Sequence, residues 1–376
     1  MSPCWMLEPL FGSRVKGVLG DVIDVTAIVG TLFGVATSLG FGVTQFSAGL
    51  EHLGLATQSI GLLVVLVAVI TLMATASVTS GLDKGIKWLS TGNLLLACGL
   101  MVAVLLLGEP LFVLREFVQS MGEYVQNFVH LSFRTMPYRG TEGESWLGGW
   151  TTYYWGWWMS WSPFVGVFIA RISRGRTVRE FVLGVLLVPT LLTFLWFSVL
   201  GGTALWKEVA GGGGLVGKDG SVDSTNALFQ LLDSLPGGTI LAGLFMILIV
   251  VFFVTSSDSA SFVVDMIAHG GNQNPPLASR VFWALAQGAI AAVLLWVGAR
   301  QGALTDGLSA LQTMAILVAA PFSVIMVLTC VSTIRALHWE HRRRVAAQER
   351  VIAAELERQI TTVVEEQLDG ATTASR

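Results

Sequence analysis

Eight stretches of this chain are long, apolar and free of Asp, Glu, Lys and Arg, at about 25–50, 57–80, 91–108, 148–170, 181–204, 237–257, 281–299 and 307–334. A hydrocarbon core roughly 30 Å thick is crossed by about 20 helical residues rising ~1.5 Å each. Inside it each backbone N–H and C=O needs a partner within the protein, which confines such stretches to helices. Only 12 % of the residues are charged and the mean hydropathy is +0.69, against a charged fraction of about 25 % in soluble domains. The expected fold is all-α and polytopic, with a transmembrane domain over 1–334 and a charged tail over 335–376. The first twenty residues lack the apolar core and small-residue cleavage site of a signal peptide.

Eight spans place both ends on one side. Of the fifteen Lys and Arg before the tail, nine fall on the N-terminal side (Arg14, Lys16, Lys84, Lys87, Arg171, Arg174, Arg176, Arg179, Arg280) and six on the other. The positive-inside rule makes the first side cytoplasmic, so both termini are expected there, in the inner (plasma) membrane. Residues 110–133 carry Leu114, Phe117, Val118, Met121, Val125, Phe128 and Val129 on one helical face, the pattern of an amphipathic helix on the outer surface. Loop 205–236 contains Gly211–Gly214 and reads as flexible. The tail holds seven basic and seven acidic residues. It reads as a solvated helix, or as a regulatory element whose Arg342–Arg344 cluster meets anionic lipid.

The stretch WTTYYWGWWMSWSPFVGVFIARISRGRTVREF, from Trp150, is uncharged up to Ala170 and then meets Arg171, Arg174, Arg176 and Arg179. A helix starting near Gly149 would bring Trp157, Trp158 and Trp161 close to mid-membrane, away from the interfacial belt where tryptophan usually sits. Helical spacing puts 157, 161 and 164 on one stripe, and 154, 158 and 161 on its neighbour. Two readings fit: plain helix packing, or an aromatic wall including Tyr154 whose ring faces hold a quaternary ammonium. The latter ion has no N–H to donate, so ring faces are its natural partners.

Two spans look breakable, and an unwound turn offers carbonyls to a cation. One is GTLFGVATSLGFG, with four glycines among Thr31, Thr37 and Ser38. The other is VVFFVTSSDSAS, with five hydroxyls and Asp258 within seven residues. The alternatives are small-residue packing for the first and, for the second, a helix end with Asp258 already in water. No paired intramembrane carboxylate, HExxH or Ser–His arrangement points to an enzyme.

Together the tryptophan–arginine stretch, GTLFGVATSLGFG and FFVTSSDSAS closely resemble the betaine–choline–carnitine transporter family, over nearly the whole chain to about residue 335. The resemblance implies a LeuT-type core of two inverted repeats. It implies secondary transport of glycine betaine, choline or carnitine, with sodium or a proton as coupling ion and no other cofactor. Residue by residue, Trp157, Trp158 and Trp161 match the family's aromatic box. Thr255, Ser256 and the Phe252 carbonyl match one sodium site. Thr31 and Phe164 match a second, where Val35 replaces the expected hydroxyl and Ser38 partly compensates. Sodium-independent relatives place a basic side chain in the first of these helices, and none occurs here between Lys16 and Lys84. Partners implied are a small onium substrate, membrane lipid and a homotrimer, with nothing pointing to nucleic acid. The chain resembles helices five to twelve of twelve, so the core is expected to be incomplete. Either Met1 is an internal start in a longer gene, or the chain is a truncated remnant. A membrane sensor or scaffold that binds without moving its ligand is the rival from another class.

Overall fold

The structure is a computed structural model and describes residues 2–80, 83–218, 220–300 and 304–374. Helices dominate. A short N-terminal piece of 3₁₀ turns encloses α1 (Glu8–Phe11), and long helices come after it: α2 (Val18–His52), α3 (Ile60–Ser80), α4 (Asp83–Leu107) and α5 (Pro110–Ser132). The short α6 (Gly140–Trp146) runs into a π-helical segment, Leu147–Tyr154, and on into α7 (Trp155–Ile172). Then come α8 (Val178–Val209), the short α9 (Ala227–Asp233), α10 (Gly238–Ala268), α11 (Leu277–Ala299) and α12 (Leu304–Ala374). The side chains of Lys84 and Lys87 lie outside the described residues, as do Gln301–Ala303 and the last two residues of the tail.

Among the described residues, seven helices are long and apolar enough to cross a membrane: α2, α3, α4, α8, α10, α11 and α12. The eighth expected stretch, 148–170, is helical throughout but divided between the π segment and α7. Its tryptophans, tyrosines and glycines also make it less apolar than the other seven. Large apolar side chains such as Val65, Leu72, Leu95, Leu106, Leu186 and Leu187 stay exposed on the spans. Lipid can cover such a surface without penalty, whereas water cannot.

The chain divides into two compact units. In the larger, Asp24–Ser323 with Met1–Pro3, three apolar cores hold the helices. One centres on Val104, Phe229, Leu232 and Phe245, and another on Leu39, Val67, Leu295 and Leu311. The third joins Val35 of α2, Phe164 and Val167 of α7, and Val263 and Met266 of α10. It places α7 between the two hydroxyl-rich helices. In the smaller unit, Leu7, Val15 and Ile23 pack with Ile325 and Leu328, and Ser332 Oγ donates to the Met6 carbonyl at 2.6 Å. The described tail side chains beyond Trp339 are exposed along α12.

Both spans expected to break are continuous α-helices. The reason lies in their hydroxyls. Thr31, Thr37, Ser38 and Thr44 each donate to the carbonyl four residues back, at 2.8–3.1 Å, and Thr255 and Ser261 do the same in α10. Such bonds satisfy the side chain within the helix, so no unwound turn is needed to partner it. The irregular backbone is instead the π segment at the head of the tryptophan helix. Loop 205–236 is tied locally, since the Glu208 carboxylate accepts from the Leu215 N–H at 2.8 Å.

Candidate functional site

Between α2, α7 and α10 lies a cavity of about 390 Å³. Helix α7 contributes Trp157, Trp158 and Trp161, α2 contributes Ser38 and Phe41, and α10 contributes Ile249, Phe252, Phe253 and Ser256. No charged side chain lines it among the described residues.

Its shape depends on one small residue. A Cβ at Gly34 would stand 2.4 Å from Ser160 Oγ and 2.9 Å from Trp161 Cδ1, so only glycine lets α7 come this close. The approach brings two indoles onto one patch of α2. Trp161 Nε1 donates to the Gly34 carbonyl at 2.9 Å and to Ser38 Oγ at 3.1 Å. Trp157 Nε1 reaches the same two oxygens at 3.3 and 3.1 Å. An indole N–H buried in an apolar setting needs an acceptor, and these two share theirs. Ser38 Oγ in turn donates to Gly34, so both its lone pairs face indole N–H groups. Tyr153 stacks on Trp157 at 6.2 Å and 9°, and Phe41 packs on it at 5.6 Å. Trp158 has no such clasp and is 57 % exposed, its ring open to the cavity.

The structure brings together Trp157, Trp158, Trp161, Ser38, Phe252 and Ser256 around this space. Thr255 Oγ1 donates to the Val251 carbonyl at 2.9 Å and lies 3.1 Å from that of Phe252, and Thr255 is the chain neighbour of Ser256 without itself lining the cavity. Three other expected residues do not line the cavity. Tyr154 stands behind Trp157 and Trp158, at 6.0 and 6.4 Å between centroids. Thr31 is fully buried, its hydroxyl on the Ala27 carbonyl. Phe164 packs in the core with Val35 and edge-on to Trp161.

A second cavity, of about 430 Å³, lies further along α7 and α10, with residues of α3 and α11 in its lining. Here Asp258 is 6 % exposed rather than in water, and accepts from Ser77 Oγ at 3.0 Å. The guanidiniums of Arg171 and Arg280 lie 4.7 and 4.9 Å from the Phe262 ring. Two turns below Asp258, the fully buried Asp265 accepts from Ser279 Oγ at 2.5 Å and meets His269 Nδ1 at 3.2 Å and Arg280 Nε at 4.0 Å. Sequence reading misses Ser77, Asp265, Ser279 and Arg280 as a group. The available signal is Asp258 and Asp265 seven residues apart, on one face of an apolar helix.

Geometry thus defines the class: a polytopic, all-helical membrane protein with an aromatic-walled chamber between its spans. Residues 1–342 match the family model described as BCCT, betaine/carnitine/choline family transporter. The chain belongs to that family. It is 52 % identical over 341 residues to an uncharacterized transporter of Mycobacterium tuberculosis, covering 90 % of this chain and 56 % of that protein. It is 44 % identical over 334 residues to glycine betaine transporter 1 of Vibrio parahaemolyticus, covering 89 % and 62 %. Against the glycine betaine transporter OpuD of Bacillus subtilis the identity is 43 % over 336 residues, covering 89 % and 63 %. The chain therefore spans a little over half the length of these relatives. Members of this family are transporters, not enzymes.

Proposed function

We propose that the chain forms part of a secondary transporter for a quaternary-ammonium compound, with glycine betaine as the first candidate. The observation that carries this reading is the chamber wall: two indoles fixed by shared acceptors and a third left open, around a space with no charged side chain among the described residues. A permanent cation without N–H groups gains from several ring faces, each contributing about 0.5–2 kcal/mol. Names of two relatives, both glycine betaine transporters, favour that substrate over choline or carnitine. In this proposal the segment 147–172 crosses as an eighth span, and the helices belong to a LeuT-type inverted-repeat core in the inner membrane with both termini cytoplasmic. The transporter domain ends near residue 334, and the assembly is a homotrimer.

Sodium is the proposed coupling ion, held by Thr255, Ser256 and the Phe252 carbonyl. Their adjacency to the chamber supports it, because an ion there would favour the substrate-holding state over the empty one. A second cation site at Thr31, Ser38 and Phe164 is left out of the proposal, since the Ser38 lone pairs serve the indoles.

Binding of radiolabelled glycine betaine to the chain in proteoliposomes tests the reading. Trp158→Leu is expected to weaken binding roughly 3- to 30-fold, and unchanged affinity would remove Trp158 from the site. Thr255→Ala with Ser256→Ala is expected to abolish any sodium stimulation; retained stimulation would move the ion elsewhere. Binding without uptake would leave a ligand-holding sensor or scaffold as the better description.

A further inference from the structure

Where α5 lies against the second half of α8, a cavity of about 290 Å³ is lined by Tyr124, Phe194 and Phe197 and by a single carboxylate, that of Glu116. One oxygen of Glu116 accepts from Ser120 Oγ. The other, Oε2, is shut away from solvent and has no hydrogen-bond partner among the described residues. No Lys or Arg among them pairs with it. Gly202 makes the room: a Cβ there would lie 3.3 Å from Oε2. Tyr124 and Phe194 meet edge to face at 5.2 Å beside it.

A buried carboxylate oxygen with no partner is costly, and a cation is what removes the cost. Hard metal ions take several oxygens, chiefly carboxylates and carbonyls, and here a single carboxylate shares the lining with the Ser120 and Ser198 hydroxyls and three aromatic rings. Rings and a lone negative charge suit an organic cation without N–H donors. We propose that Glu116, Tyr124, Phe194 and Phe197 form a second onium site, separate from the tryptophan chamber, for a quaternary ammonium that is either a free ion or a lipid headgroup. The exposed Phe197 leaves the site open on the lateral face of α8, within reach of either source. It does not rest on the transport reading above, because its residues and helices are different.

Equilibrium binding of radiolabelled tetramethylammonium to the full chain in maltoside micelles tests it, in a Trp158→Leu background that weakens the first chamber. A residual binding class is expected, lowered about tenfold or more in affinity by Glu116→Gln and partly restored by Glu116→Asp. Adding phosphatidylcholine separates the sources: loss of the Glu116-dependent class identifies a lipid headgroup, and its persistence a free onium ion. Should Glu116→Gln misfold, Gly202→Ala, which crowds Oε2, is expected to give the same loss. Equal affinity with and without the Glu116 charge, or no binding class outside the tryptophan chamber, overturns the proposal. Because Trp158→Leu and Glu116→Gln are read separately, failure of either site is visible without the other.

Discussion

The same two helices, α7 and α10, build two cavities of similar size with opposite chemistry. Upstream, the walls are aromatic and aliphatic, and the Ser38 hydroxyl and the Trp157 and Trp161 N–H groups are already bonded to their neighbours. Further along, Arg171, Arg280 and Asp258 line the space around Phe262, and Asp265 with His269 lies behind that lining. The first cavity keeps its shape through close packing and two shared acceptors. Beside the second, charges meet: Asp265 faces Arg280 of α11 at 4.0 Å and His269 at the end of its own helix at 3.2 Å. A chamber of rings tolerates being empty; a chamber of ions does not, because each unpaired charge in low dielectric is penalised in full.

That contrast is open to breaking. The largest effect is expected from Asp265→Ala, which leaves the mostly buried Arg280 without its deepest partner. About 3 kcal/mol of stability should be lost, read as a fall in melting temperature of the purified protein, and a wild-type melting curve would show that the charged cavity does not depend on its ions. Next is Gly34→Ala, whose methyl group collides with Ser160 and Trp161. Overpacking of this kind costs about 1–3 kcal/mol and is expected to push α7 off α2 and weaken betaine binding together with stability. Normal binding would mean the two helices have slack that the structure does not show. Smallest is Ser38→Ala, which removes one of two acceptors shared by the indoles. About 1 kcal/mol is at stake, and the tryptophan emission spectrum should shift; an unchanged spectrum would make the Gly34 carbonyl the sufficient partner.

Much of this is legible in the residues alone, and the parts that are not have a common cause. Apolar run length announces seven of the spans, and helical spacing puts Trp157, Trp158 and Trp161 on one wall. Ser256 lines the same space, with Thr255 next to it in the chain. What stays hidden in the sequence is where each hydroxyl and each charge finds its partner. Thr31 reads as a ligand offered to an ion, yet it is fully buried in α2 and its proton goes to the Ala27 carbonyl one turn back. Nothing local distinguishes a threonine bonded to its own helix from one turned outward. Asp258 reads as a residue at a wet helix end, but Ser77, 181 residues away in sequence, closes over it. Glycine content misleads too: Gly34 serves contact with α7 rather than a break in α2.

The π segment ahead of Trp155 bears on how this protein tolerates changes in length. An α-helix turns about 100° per residue, so losing one residue from α7 would swing the chain before the gap around the axis relative to the chain after it. A π turn already holds one residue more than the α pattern requires. A single deletion within Leu147–Tyr154 should be absorbed as that turn relaxes to α, leaving Trp157, Trp158 and Trp161 facing α2 as before. The same deletion between Trp158 and Trp161 should scatter the wall. One helical stretch of 26 residues thus contains a slack end and a taut end, and the tryptophans sit on the taut one.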